Sequence, residues 1–280
     1  MKIKKLISAL VLGSMLVGLS GCNITDFSAE NLLRPPKAVG DEAEIEQLIA
    51  KTADSGYTLK YPKNGKFRSA IIMTDLDGND SNEAVAFFRN SAETSSVHML
   101  VMYSKDNSWE IASDNIFETT DIDSVDFADL TGNGKAEIIV NSTTYTPNVG
   151  KLSCYSYSEG KTNEVGSGQS CSSFVTGDFD NDGTSEIMSL VLYTTENEAL
   201  ASMLDYNEDS KSLYAKAMAN MDPNVVKYKN IAVTKLDNDI TGIVVDGTSA
   251  NEVTNTQVIF YSRDLAILRN PLFKEKAKNI

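Results

Sequence analysis

The spacing of hydrophobic positions changes along this chain, and each change marks a different element. Residues 6–19 form one apolar run behind Lys2, Lys4 and Lys5. As a helix the run would rise about 21 Å, at ~1.5 Å per residue, short of the ~30 Å hydrocarbon core. A charged start and a short apolar middle therefore predict a secretory signal over residues 1–21 rather than a permanent span. Over residues 41–56 the spacing is helical. Asp41 and Glu44 are placed to cap a start, Ile45, Leu48 and Ile49 share one face, and Ser55-Gly56 ends the pattern near Ala53. From Tyr57 onward, short apolar or alternating runs are punctuated by Gly, Asn, Asp and Ser. Residues 69–74, 84–88, 99–103, 137–140, 187–193 and 257–261 read as strands. Runs without alternation, such as Ile138-Ile139-Val140, predict strands buried on both faces between stacked sheets. No long helical pattern interrupts them, which argues against a parallel α/β sheet. The expected class is all-β with a short N-terminal helix.

Leu19-Ser20-Gly21-Cys22 closes the first segment. It resembles the bacterial lipobox, in which the Cys receives a diacylglycerol and becomes the mature N-terminus. The resemblance implies an extracytoplasmic lipoprotein, anchored to the bacterial cell membrane through acyl chains on Cys22. Residues 22–40 are polar and carry Pro35-Pro36, as expected of a tether between lipid and domain.

A second pattern recurs in the β region: strand, acidic loop, acid, strand. Three copies begin at Asp75, Asp129 and Asp178, and a worn fourth begins at Lys235, roughly fifty residues apart. Such a period accommodates four short strands, one propeller blade. In the first copy the oxygen-bearing side chains at positions one, three, five and nine are Asp75, Asp77, Asn79 and Glu83. In the second, where Thr131 stands at position three, they are Asp129, Asn133 and Glu137. In the third they are Asp178, Asp180, Asp182 and Glu186. A tightly coiled loop turns such positions inward, and glycines and asparagines supply the positive-φ turns it requires. Calcium accepts six to eight oxygens in flexible geometry, which favours Ca²⁺ over magnesium. An EF-hand is excluded, because position twelve is Ala86, Val140 or Ser189 and strands flank each loop.

These loops resemble the FG-GAP/VCBS-type β-propeller repeat of integrin α-chain heads and many bacterial surface proteins. The resemblance covers residues 57–280. It implies a propeller-like array of about four four-stranded blades, with calcium held structurally by the side chains just named. The expected affinity falls from the third loop to the first and then the second. At the fourth loop, Lys235 is expected to replace the ion by pairing with Asp237 and Asp239. Fewer copies are present than the seven blades common in the family, so a closed ring, an incomplete array and completion by a partner all stand open.

Composition narrows the partners. The 280 residues are 41% hydrophobic and 23% charged, the mix of a folded globular chain. Acids outnumber bases 39 to 25, for a formal charge of −14, which excludes a general nucleic-acid binder. Cys154 and Cys171 flank a turn-rich stretch. A hairpin there would bring them roughly opposite each other, either as an extracellular disulfide or as two thiols. Neither belongs to a CxxC pair, and His98 is the only histidine, so zinc is not expected. Motifs for serine hydrolases, zinc proteases, phosphate-binding loops and dinucleotide folds are missing. Trp109, Tyr145, Tyr155 and Tyr157 are candidates for stacking on sugar or for packing. The expected function is a calcium-stabilised scaffold that binds a protein or glycan. The alternatives are a propeller-borne carbohydrate-active enzyme using paired carboxylates and a purely structural envelope protein.

Overall fold

The computed structural model describes residues 40–269 except 54, 55, 94, 147, 195, 197, 238 and 239. The expected signal segment over 1–21, Cys22, nearly all of the expected tether and the tail over 270–280 therefore lie outside the described residues. Among those described, no helix is long and apolar enough to cross a membrane. One compact unit starts at Glu44; of the unit before it, only the first turn of a helix is described.

That helix, α1 (Asp41–Ala53), has the bounds its spacing predicts. Gly40 precedes it at φ 64°, and its carbonyl accepts the N–H of Ala43 at 3.1 Å. The Oε2 of Glu44 accepts the backbone N–H of Trp109 at 3.4 Å.

Every other regular element among the described residues is a strand, in four antiparallel sheets of consecutive strands. The first contains β1 (Tyr57–Leu59), β2 (Ile71–Thr74), β3 (Glu83–Asn90), β4 (Val97–Lys105) and β5 (Ser108–Phe117). The second runs β6 (Ile122–Ala128), β7 (Glu137–Thr143), β8 (Gly150–Ser158), β9 (Lys161–Cys171). The third runs β10 (Ser173–Gly177), β11 (Glu186–Tyr193), β12 (Glu198–Asn207), β13 (Ser212–Asn220). The fourth runs β14 (Val225–Asp237), β15 (Ile240–Ser249), β16 (Thr254–Tyr261), β17 (Leu265–Arg269). This is the blade-like all-β array the repeat predicts, with one departure. The first sheet has five strands, because β1 and β2 pair in tandem along β3, β1 at Phe88–Asn90 and β2 at Glu83–Ala86.

The non-alternating strands are buried on both faces because successive sheets share cores. Val85, Phe87, Met99 and Val101 of the first sheet meet Ile138, Val140 and Tyr155 of the second. Ile139, Leu152 and Cys154 of the second meet Ile187, Leu204 and Leu213 of the third. Met188, Leu190 and Met203 of the third meet Ile243, Val245 and Ile259 of the fourth. The other face of the first sheet, with Ala84, Ala86, Phe88, Leu100 and Met102, is covered by Ile45, Ile49 and Ala53 of α1. Among the described residues, no core joins the fourth sheet to the first. α1 thus covers the face of the first sheet that the second sheet leaves free.

Of the two alternatives for the cysteines the structure shows the two thiols, and only their expected opposition across the hairpin is corrected. Both thiols are free and buried. The β8–β9 hairpin exists, but its register pairs Cys154 with Gly166 and Cys171 with Gly150. The two cysteines thus sit four positions apart along the ladder, about 13 Å at ~3.3 Å per residue, far beyond disulfide reach. Burial pushes both thiols up, Cys171 to about 12.

Candidate metal loops

Three of the four acidic loops adopt one backbone geometry. Positions four and six are left-handed in each: Gly78 and Asp80, Gly132 and Gly134, Asn181 and Gly183, with φ between 61° and 94°. Gly, Asn and Asp are the residues that tolerate this region. The position-one carboxylate accepts the N–H of position six: Asp80 to Asp75 at 2.9 Å, Gly134 to Asp129 at 2.8 Å, Gly183 to Asp178 at 3.2 Å. The position-five side chain accepts the N–H of position seven: Ser81 to Asn79 at 2.7 Å, Lys135 to Asn133 and Thr184 to Asp182 at 2.8 Å. The position-nine glutamate opens the next strand and accepts the N–H of position two: Leu76 to Glu83 at 2.8 Å, Leu130 to Glu137 at 2.7 Å, Phe179 to Glu186 at 2.8 Å.

Position two was not singled out from the sequence, although all four copies carry an apolar residue there: Leu76, Leu130, Phe179 and Leu236. The first three are buried, each in the core between its own sheet and the next. One residue therefore plugs the inter-sheet core while its N–H holds the glutamate. Neighbouring loops are also tied through backbone: Ala136 N–H donates to the Leu76 carbonyl at 3.1 Å, and Ser185 N–H to the Asp129 carbonyl at 2.8 Å.

The loops differ in what remains unsatisfied. Asp75, Asp77 and Glu83 group closely enough to hold a metal ion, as do Asp178, Asp180, Asp182 and Glu186. Asp77 Oδ1, Asp178 Oδ1 and Glu186 Oε1 are buried without a hydrogen-bond partner. A buried carboxylate oxygen with no donor is costly unless a cation takes that place, so these two loops fit a resident ion. The second loop is closed by its own side chains. Glu137 accepts from Leu130 N–H, from Thr131 N–H at 3.2 Å and from the Thr131 hydroxyl at 3.1 Å, and none of its oxygens is orphaned.

Charge follows the same division. Burial pushes Glu83 and Glu137 above the ordinary glutamate value. Burial, reinforced by Asp180, Asp182 and Asp205, pushes Glu186 from 4.5 to about 8. Asp75 goes the other way: burial raises it, but four backbone N–H groups bring it below the usual carboxylate range.

The third loop holds a cation already. Lys216 on β13 donates to Asp180 Oδ2 and, at 2.8 Å, to Asp205 Oδ2 on β12. Burial works against its ammonium, yet the two carboxylates hold its pKa above the ordinary lysine value. The sequence assigned a substituting lysine to the fourth loop. The structure places one in the third, because the meander of β11, β12 and β13 carries Lys216 back to the loop.

The fourth copy starts extended rather than coiled over its described residues. β14 runs extended through Lys235 to Asp237, and Lys235 pairs in the ladder with Thr241. Asp239 and the side chain of Asp237 lie outside the described residues.

Of the other candidates, Trp109 packs under α1, and Tyr155 and Tyr157 lie in the first inter-sheet core. Tyr145 is 93% exposed. His98 is buried and stacked on Phe88. Its Nδ1 lies 2.9 and 3.0 Å from the Asp114 carboxylate oxygens and its Nε2 3.1 Å from Glu93 Oε2, so both ring nitrogens are engaged structurally.

No protein-family model matches the chain, and no curated protein matches it.

Proposed function

We propose that the chain is a membrane-anchored extracytoplasmic lipoprotein, lipidated at Cys22, whose FG-GAP/VCBS-like loops bind structural calcium and whose blade array presents a surface to a protein or glycan. The observation that carries the reading is the set of orphaned buried carboxylate oxygens, which among the described residues fall in the two loops richest in carboxylates and nowhere in the self-satisfied second loop. Hard oxygen donors in a flexible loop suit calcium. In the first loop Asp75, Asp77, Asn79 and Glu83 would hold the ion; in the third, Asp178, Asp180, Asp182 and Glu186. When bound, it would neutralise these carboxylates and fix the turn between two paired strands of one sheet. The chain's own residues do the rest: position two anchors the loop in the core, and its N–H orients the glutamate.

Calorimetric calcium titration of residues 41–280 tests this. Two sites are expected, with Asp77→Asn removing one and Asp180→Asn the other. No calcium uptake, or uptake unaffected by either variant, would sink the proposal.

A further inference from the structure

A cavity of about 870 Å³ opens at the far end of the inner strands from the acidic loops. The loops follow the ends of β6 and β10, at Asp129 and Asp178. The cavity is lined by the starts of the same strands, Asp123–Asp126 and Ser173–Val175.

Its charge is opposite to that of the chain. Four lysines line it, Lys63 and Lys66 from the segment between β1 and β2, and Lys227 and Lys229 from β14. Only two acids do, Asp123 and Asp126, in a chain of formal charge −14. Both aspartates are occupied by neutral donors. Asp123 accepts from Asn64 at 2.9 Å and Ser124 at 3.0 Å, and Asp126 from Thr176 at 2.9 Å. They do not pair with the lysines; Lys63 is instead paired with Asp121, outside the lining, at 3.1 Å, which leaves three without a carboxylate partner among the described residues. Lys227 and Lys229 are exposed and make no ion pair with any described residue.

The remaining lining is rich in amides and hydroxyls, including Asn148, Asn230, Thr143 and Ser173. Asn141, only 1% exposed, lines the cavity and has an Oδ1 with no hydrogen-bond partner. Tyr145 stands fully out from the rim between the lining residues Thr144 and Thr146. An aromatic face, unpaired ammonium groups and many neutral hydrogen-bonding groups are the chemistry that recognises a polyhydroxylated anion.

We propose that this cavity binds an acidic saccharide, its carboxylates held by Lys227 and Lys229 and its hydroxyls by the amide-rich wall. The proposal deepens the scaffold reading above by naming the ligand class and the face.

The test is calorimetric binding of trigalacturonate and a chondroitin sulfate tetrasaccharide to the calcium-loaded chain. Trigalacturonate methyl ester is the neutral control and inorganic phosphate the bare-anion control. At least one acidic oligosaccharide is expected to bind. The ester, and the Lys227→Gln/Lys229→Gln double variant, are each expected to weaken binding by about tenfold or more, and affinity should fall with added salt. Both lysines are exposed and remote from the acidic loops, so an unchanged calcium titration certifies that the variant is folded. Tyr145→Ala is a second variant, expected to weaken binding with the salt dependence preserved. The proposal is overturned if neither acidic sugar binds, if the ester binds as tightly as the acid, if phosphate matches the sugars, or if the lysine variant binds unchanged. Capture of a neutral glycan would overturn it while leaving the scaffold reading intact, and loss of calcium binding with acid binding retained would do the reverse.

Discussion

At the scale of single residues, the loops show how one atom decides whether a site needs an ion. Thr131 supplies a hydroxyl and an N–H to Glu137, and the second loop is complete without a metal. Replacing that donor by an acceptor should reopen it: Thr131→Asp is expected to add a calcium site, seen as one further equivalent in titration. Lys216 sets the opposite problem. Its ammonium shares Asp180 with any ion in the third loop, so the site carries less net charge than its four carboxylates suggest. Lys216→Met is expected to raise calcium affinity there about tenfold, the effect of ~1.4 kcal/mol of relieved repulsion. It should also lower the melting temperature in chelator, because Asp180 and Asp205 are left facing each other without a partner. An affinity unchanged or reduced would remove Lys216 from the site. The order third, first, second expected from carboxylate number alone ignores this ammonium.

At the scale of elements, position two links folding to binding. Phe179 is fully buried between the third and fourth sheets, and its N–H holds Glu186. Phe179→Ala is expected to cost about 3–5 kcal/mol in denaturant unfolding, and to weaken calcium binding in the third loop only. A stability loss below ~1 kcal/mol would show that the ring does not carry the inter-sheet core. The elements themselves were largely written in the pattern. Helix α1 and the strands around residues 84–88, 137–140 and 187–193 lie where period and punctuation predict. The tandem pairing of β1 and β2 along β3 was not legible, since pairing partners are a tertiary choice. The same holds for the fourth copy. Lys235-Leu236-Asp237 has the loop's spelling, but these three residues are the extended end of β14, and an extended backbone cannot wrap an ion.

At the scale of the whole molecule, two distant groups tie stability to protons in the same direction. Glu186 rises from 4.5 to about 8, chiefly through burial. His98 also rises above its ordinary 6.5, because Asp114 and Glu93 outweigh the burial that opposes them. Each binds a proton more tightly in the folded chain, so each contribution is whole at low pH and lost as pH climbs toward the folded value. The calcium-free protein is therefore expected to melt at lower temperature at pH 8 than at pH 5.5. Calcium should restore more stability at pH 8 than at pH 5.5, with proton release from Glu186 on binding, measurable by calorimetry in buffers of different ionisation enthalpy. A calcium-free melting temperature that increases from pH 5.5 to pH 8 would contradict the assignment of both groups.

What the sequence determined by itself is whatever depends on neighbours along the chain. Hydrophobic period fixes strand or helix, Gly, Asn and Asp at positions four and six fix the coil of three loops, and carboxylate spacing fixes which oxygens turn inward. What only the tertiary structure decided depends on residues brought together from far apart. Lys216 reaches Asp180 across a sheet, Cys154 and Cys171 are kept apart by strand register, α1 takes the face of the first sheet that the second leaves free, and four lysines meet around one cavity. Such contacts are set by sheet stacking and register, which minimise exposed apolar area over the entire unit and leave no local signature in the residues they join.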